Sequence, residues 1–135
     1  MIKQFVSFGF IGTIGFLVDA TVLIICNSVF ELNLLVSRLI SFGIAVTATW
    51  YLNRVFTFKE QRRPNLAKEW SQYVMFNGIG ALANLAIFMW LVLNYQYFAD
   101  NPILPLAIAS VIAMFINFLA SKFIVFNQDK IKYGA

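Results

Sequence analysis

The sequence predicts an all-α membrane protein, a four-transmembrane-helix bundle. Three observations predict it: an excess of apolar residues, their gathering into four long runs, and a one-sided distribution of Lys and Arg. Of 135 residues, 61% are hydrophobic and 12% charged, whereas a soluble domain carries roughly 25% charged residues. A soluble core cannot absorb that much apolar surface.

A helix rising ~1.5 Å per residue needs about 20 residues to cross ~30 Å of hydrocarbon. The first run, residues 5–29, holds one charge, Asp19, and the second, 34–58, holds Arg38 and Arg54 near its two ends. The third is charge-free over 71–99 and the fourth over 101–121. Pro102 and Pro105 fall in the first turn of the fourth, where a helix tolerates proline. Runs such as Val22-Leu23-Ile24-Ile25 lack the period-two alternation of outer-membrane barrel strands. A signal peptide would have a shorter apolar region and a small-residue cleavage site, so the first run is expected to remain as a mature helix.

Basic residues collect in three places: Lys3, then Lys59, Arg62, Arg63 and Lys68, then Lys122, Lys130 and Lys132. The other two loops carry only Glu31 and Asp100. Lys and Arg in short loops mark the cytoplasmic side, so both termini and the central loop are expected inside. The net charge of +4 is therefore assigned to anionic lipid headgroups along one membrane face, and no nucleic-acid partner is expected. With one cysteine, Cys26, and no histidine, Cys/His zinc sites and Ser-His or Cys-His catalytic units are excluded. The central loop has no glycine-rich phosphate-binding motif. No cofactor, metal or catalytic residue is expected, and the chain reads as a non-enzyme.

The two halves repeat each other. Phe8-x-x-x-Gly12-x-x-Gly15-x-x-x-Asp19 is echoed by Tyr73-x-x-x-Asn77-x-x-Gly80-x-x-x-Asn84. Asn53-Arg54-Val55-Phe56-Thr57-Phe58 is echoed by Ser121-Lys122-Phe123-Ile124-Val125-Phe126, with Thr49 and Asn117 four residues earlier in each case. The chain is thus expected to be a single membrane domain. Its parts are repeat 1 over about residues 5–58, a basic loop over 59–70, repeat 2 over about 71–126 and a cytoplasmic tail over 127–135. Both hairpins begin and end on the inner side, so the repeats are expected to be parallel, about an axis along the membrane normal.

Polar residues lie inside the runs. Asp19 is roughly 21 Å along its helix from Phe5 at ~1.5 Å per residue, and a carboxylate at that depth costs at least ~2.5 kcal/mol. It should face the interior, with Gly12 and Gly15 on its face admitting a neighbouring backbone. Arg38, Ser41, Ala45, Thr49 and Asn53 follow at spacings of three and four, which makes one polar stripe. Asn84, Asn117 and Ser121 offer the same chemistry from the second repeat. Two readings stand for the stripe: hydrogen bonds that join helices at ~0.6 kcal/mol each, or a hydrophilic path for a polar substrate. Intramembrane ionisable residues favour the second for Asp19 and Arg38. Arg54 and Lys122 read first as snorkelling anchors beside an aromatic belt, and alternatively as a grip on an anionic headgroup.

The doubled hairpin, with Gly-x-x-Gly-Phe-Leu-Val-Asp ending at Asp19 and the two closing motifs after Asn53 and Ser121, resembles the GtrA-like family from about Phe5 to Phe126. The resemblance implies translocation of a polyprenyl-phosphate-linked monosaccharide such as glucose from the inner to the outer leaflet of the bacterial cytoplasmic membrane, for cell-surface glycosylation. It points to Asp19, Asn53, Arg54, Asn117 and Lys122. Together with Arg38, Thr49, Asn84 and Ser121 these make the expected substrate-binding set. The expected partners are the lipid-linked sugar, membrane lipid, glycosyltransferases of the same route and further copies of the chain, since four helices enclose little space. Two other functions compete. One is a proton-coupled drug transporter of the small multidrug-resistance kind, and the other is a non-transporting subunit that recruits a glycosyltransferase.

Overall fold

The computed structural model describes residues 1–61 and 63–126. Arg62, Lys130, Lys132 and the tail expected over 127–135 lie outside the described residues. Among the described residues five α-helices follow in order: α1 Ile2–Ile24, α2 Leu34–Leu52, α3 Leu66–Asn94, the short α4 Gln96–Asp100 and α5 Ile103–Ala120. No strand occurs among the described residues. Three of the four long helices continue into a π-helical turn, Ile25–Val29, Asn53–Thr57 and Ser121–Val125. The resulting spans Ile2–Val29, Leu34–Thr57, Leu66–Asn94 and Ile103–Val125 are each long and apolar enough to cross a membrane. Even the shortest, at 23 residues, reaches about 35 Å at ~1.5 Å per residue.

Local chemistry sets the boundaries. Asn33 caps α2, its side-chain oxygen accepting from the Val36 N–H at 2.8 Å, which satisfies one of the donors that a helix start leaves open. Between α1 and α2, Glu31 takes φ 54°, and the Asn27 amide donates to the Leu32 carbonyl at 3.0 Å to close the turn. Asn65 begins α3 by accepting from the Lys68 N–H at 3.1 Å. This helix therefore starts at Leu66, earlier than the charge-free run suggests. It also ends earlier, at Asn94, where Tyr95 turns extended before α4. Pro105 lies in the first turn of α5, where its missing N–H costs nothing.

The chain forms two compact units, one from Met1 to Trp70 together with Phe126, the other from Ser71 to Val125. In the first unit α1 and α2 make an antiparallel hairpin. Its buried line along α2 is Ser37, Ser41, Ala45 and Thr49, continuing through Asn53 and Thr57. Small residues spaced by four allow two helix backbones to approach closely. The expected stripe is present with one change: Ser37 occupies its first place, and Arg38 stands beside it, exposed. Phe58 stacks on Phe126 at 4.8 Å between ring centres, and both rings are fully buried. In the second unit α5 buries Pro105, Ala109, Ala113 and Phe118 along the corresponding line. Large apolar side chains such as Phe16, Leu39, Leu82 and Ile103 are more than half exposed. The buried line of α2 is small and polar while many large apolar side chains face outward, which suits hydrocarbon as the surrounding solvent.

Candidate functional site

The first hairpin carries ionic groups at both ends. At its turn end, Arg38 Nη1 donates to Asp19 Oδ2 at 3.0 Å. The arginine side chain is half exposed, whereas Asp19 keeps 23%. Asp19 Oδ1 is buried and makes no hydrogen bond. The partner that Asp19 requires at this depth is thus Arg38, and it takes up only one of the two carboxylate oxygens.

Midway, Gly15 is buried against Thr49, whose methyl group occupies the place where a Cβ at Gly15 would project. The Thr49 hydroxyl donates to the carbonyl of Val46 at 3.0 Å. Gly12 departs from expectation. It has nothing within 4 Å of the position of an added Cβ, so only one of the two glycines mediates close packing. The buried line of α1 runs through Phe8, Ile11 and Gly15, so Ile11 holds the place one turn before Gly15 and Gly12 stands beside it, exposed.

At the open end, Glu69 is the organising residue. It lies in the first turns of α3, where a helix start favours a carboxylate, and it is fully buried. Its Oε1 accepts from Trp50 Nε1 at 3.1 Å and pairs with Arg54 Nε at 3.3 Å. Its Oε2 accepts from the backbone N–H of Arg63 at 2.6 Å. Trp50 on α2 and Arg54 in the π-helical turn that continues it are four residues apart and meet the same carboxylate. Arg54 also donates through Nη2 to the carbonyl of Arg63 at 3.0 Å, tying the central loop to α2. Beside this cage the Thr57 hydroxyl donates to Asn53 Oδ1 at 2.9 Å and lies 2.7 Å from the Ser7 hydroxyl. Gln4 donates to Gln61 at 3.1 Å.

The second hairpin distributes its polar groups differently. Asn84 is half-buried on α3, in the position corresponding to Asp19. Asn117 lies against Gly80, its amide filling the space that a glycine side chain would need. Its Oδ1 is buried without a hydrogen bond, as is Ser121 Oγ one turn later. Lys122 sets its ammonium 5.8 Å from the centre of the Phe123 ring, a cation–π distance.

The structure therefore brings Asp19 and Arg38 together, and Asn53 with Arg54 at the opposite end of the same hairpin. Sequence reading overlooked Glu69 and Trp50. The available signal was an acid one turn after a capping asparagine, in a loop otherwise rich in Lys and Arg. Among the described residues no three His, Cys, Asp or Glu gather as a metal site.

These groups hold charges and offer hydrogen bonds inside a multi-pass membrane fold. No curated protein matches the chain. The transmembrane domain described as GtrA/DPMS matches residues 7–126, which takes in both hairpins and both closing motifs, and the chain belongs to that family.

Proposed function

We propose that the chain carries a polyprenyl-phosphate-linked monosaccharide from the inner to the outer leaflet of the bacterial cytoplasmic membrane, supplying cell-surface glycosylation. In this reading both termini and the central loop face the cytoplasm, as the Lys and Arg distribution favours. Glycosyltransferases of the same route make and consume the substrate, and further copies of the chain widen the path. The role is transport, driven downhill by consumption of the sugar outside or coupled to protons through Asp19.

The observation that carries the proposal is the Asp19–Arg38 pair within a hairpin of a GtrA/DPMS domain, with Asp19 Oδ1 buried and without a hydrogen bond. A carboxylate kept half-satisfied among transmembrane helices is costly unless it is used. A sugar hydroxyl can donate to that oxygen while Arg38 offers positive charge to the phosphodiester.

The test is transbilayer movement of short-chain polyprenyl-phosphoryl glucose in proteoliposomes holding the purified protein alone. Movement well above protein-free vesicles is expected. Absence of movement by folded protein would replace the proposal with a subunit that recruits a glycosyltransferase.

A further inference from the structure

The two hairpins share a pattern, yet only one of them satisfies it internally. In each, a glycine of the first helix faces a polar residue of the second: Gly15 faces Thr49, and Gly80 faces Asn117. One turn later stand Asn53 and Ser121, each 1% exposed, and one turn later again Thr57 and Val125. Both closing segments have the same π-helical backbone.

In the first hairpin the polar atoms find partners within the chain. Thr49 donates to the Val46 carbonyl, and Thr57 donates to Asn53. In the second, Val125 stands where Thr57 would be and has no hydroxyl to give. Asn117 Oδ1 and Ser121 Oγ are buried and make no hydrogen bond. Helical hydroxyls elsewhere in the chain relieve themselves on a backbone carbonyl one turn back, as Thr13, Thr21 and Thr47 do. Ser121 does not. A buried polar atom left without a partner destabilises the fold by about 1–3 kcal/mol, so two on successive turns imply an external partner.

We infer that Gly80, Asn117 and Ser121 form a notch for a hydroxyl-bearing headgroup, so that the second hairpin reads the sugar at a further place besides Asp19. The inference rests on the lipid-linked sugar reading above and adds to it the subsite and its chemistry. Asn117 Oδ1 accepts a hydrogen bond, and Ser121 Oγ both donates and accepts. They are spaced about 6 Å along the helix, a gap that neighbouring hydroxyls of a pyranose ring bridge. The glycine at position 80 leaves room for the Asn117 amide, and half-buried Asn117 is the side from which a headgroup enters. A water molecule offers the same hydroxyl chemistry, and the test separates the two.

Binding of short-chain polyprenyl-phosphoryl glucose and of the same polyprenyl phosphate without sugar is measured on detergent-solubilised wild type, Ser121→Ala, Val125→Thr and Thr21→Val. Ser121→Ala removes the group, and Val125→Thr supplies the internal hydroxyl that closes the first hairpin. Each is expected to weaken the glucose lipid about tenfold, the loss of one good hydrogen bond, and to leave the bare phosphate lipid unchanged. Thr21→Val, on α1 of the first hairpin, is expected to match wild type for both lipids. If both notch variants fold and keep the wild-type preference for the glucose lipid, the notch holds water and the inference is overturned. An equal loss for both lipids would overturn it too, since the effect would then not concern the sugar. Should wild type itself fail to distinguish the two lipids, the lipid-linked sugar reading falls, and the notch falls with it.

Discussion

The first hairpin has an ion pair at each end, and the two are built for different tasks. At the open end Glu69 is fully buried and bonded to an indole N–H, a guanidinium and a backbone N–H. At the turn end Asp19 has one bond to a half-exposed arginine and one oxygen unused. A buried pair with its lone pairs occupied is rigid, and removing one partner strands a charge. A pair that leaves one carboxylate oxygen without a hydrogen bond still has an acceptor to offer. The open end therefore fixes the central loop against α2, and the turn end is free to engage a passing polar group.

The largest effect should come from breaking the cage. Glu69→Ala or Arg54→Ala is expected to destabilise the protein by about 3–5 kcal/mol, read as the unfolding midpoint in mixed micelles. The double variant should cost clearly less than the sum of the two, because neither charge is then stranded. Simple additivity would mean that the pair does not act as a unit.

Gly15→Ala comes next. The new methyl group meets Thr49, and forcing apart a well-packed contact costs about 1–3 kcal/mol. Gly12→Ala, facing open space, should leave the midpoint unchanged or slightly raised. Equal effects at both glycines would contradict the packing described.

Trp50→Phe removes one donor to Glu69 while keeping an aromatic ring. A loss of about 1.5–3 kcal/mol is expected, as for a hydrogen bond to a charged group. A neutral result would show that Arg54 and Arg63 satisfy the carboxylate without it. Arg38→Gln leaves the Asp19 carboxylate without its partner within the span, and a loss of about 2.5 kcal/mol is expected, the cost of a carboxylate at that depth.

The sequence disclosed the four spans because apolar runs of membrane length are seldom stable outside hydrocarbon, and the two echoed closing motifs share the same π-helical turn. It misplaced the ends of α3 for a physical reason. The first turn of that helix carries Lys68 and Glu69, which read as loop, and the bend at Tyr95 falls inside a charge-free run where composition is silent. Asp19 was legible because a lone carboxylate in hydrocarbon demands a partner. Glu69 was not, since an acid beside Lys and Arg in a short loop reads as solvated. Only the three-dimensional meeting of α2, the loop and α3 shows it to be enclosed. Arg38 shifted off the predicted stripe because three-residue and four-residue spacings rotate in opposite senses, and Ser37 continues the regular spacing of four.

The division of labour between the two ends is tested most directly by the translocation rate per folded protein in proteoliposomes, with the unfolding midpoint measured on the same preparations. Asp19→Asn is predicted to lower the rate at least about tenfold, a barrier increase of ~1.4 kcal/mol, with the midpoint nearly unchanged. Glu69→Gln is predicted to lower the midpoint, with the rate of the molecules that remain folded close to wild type. A wild-type rate in Asp19→Asn, or a collapse of its midpoint, would contradict the account.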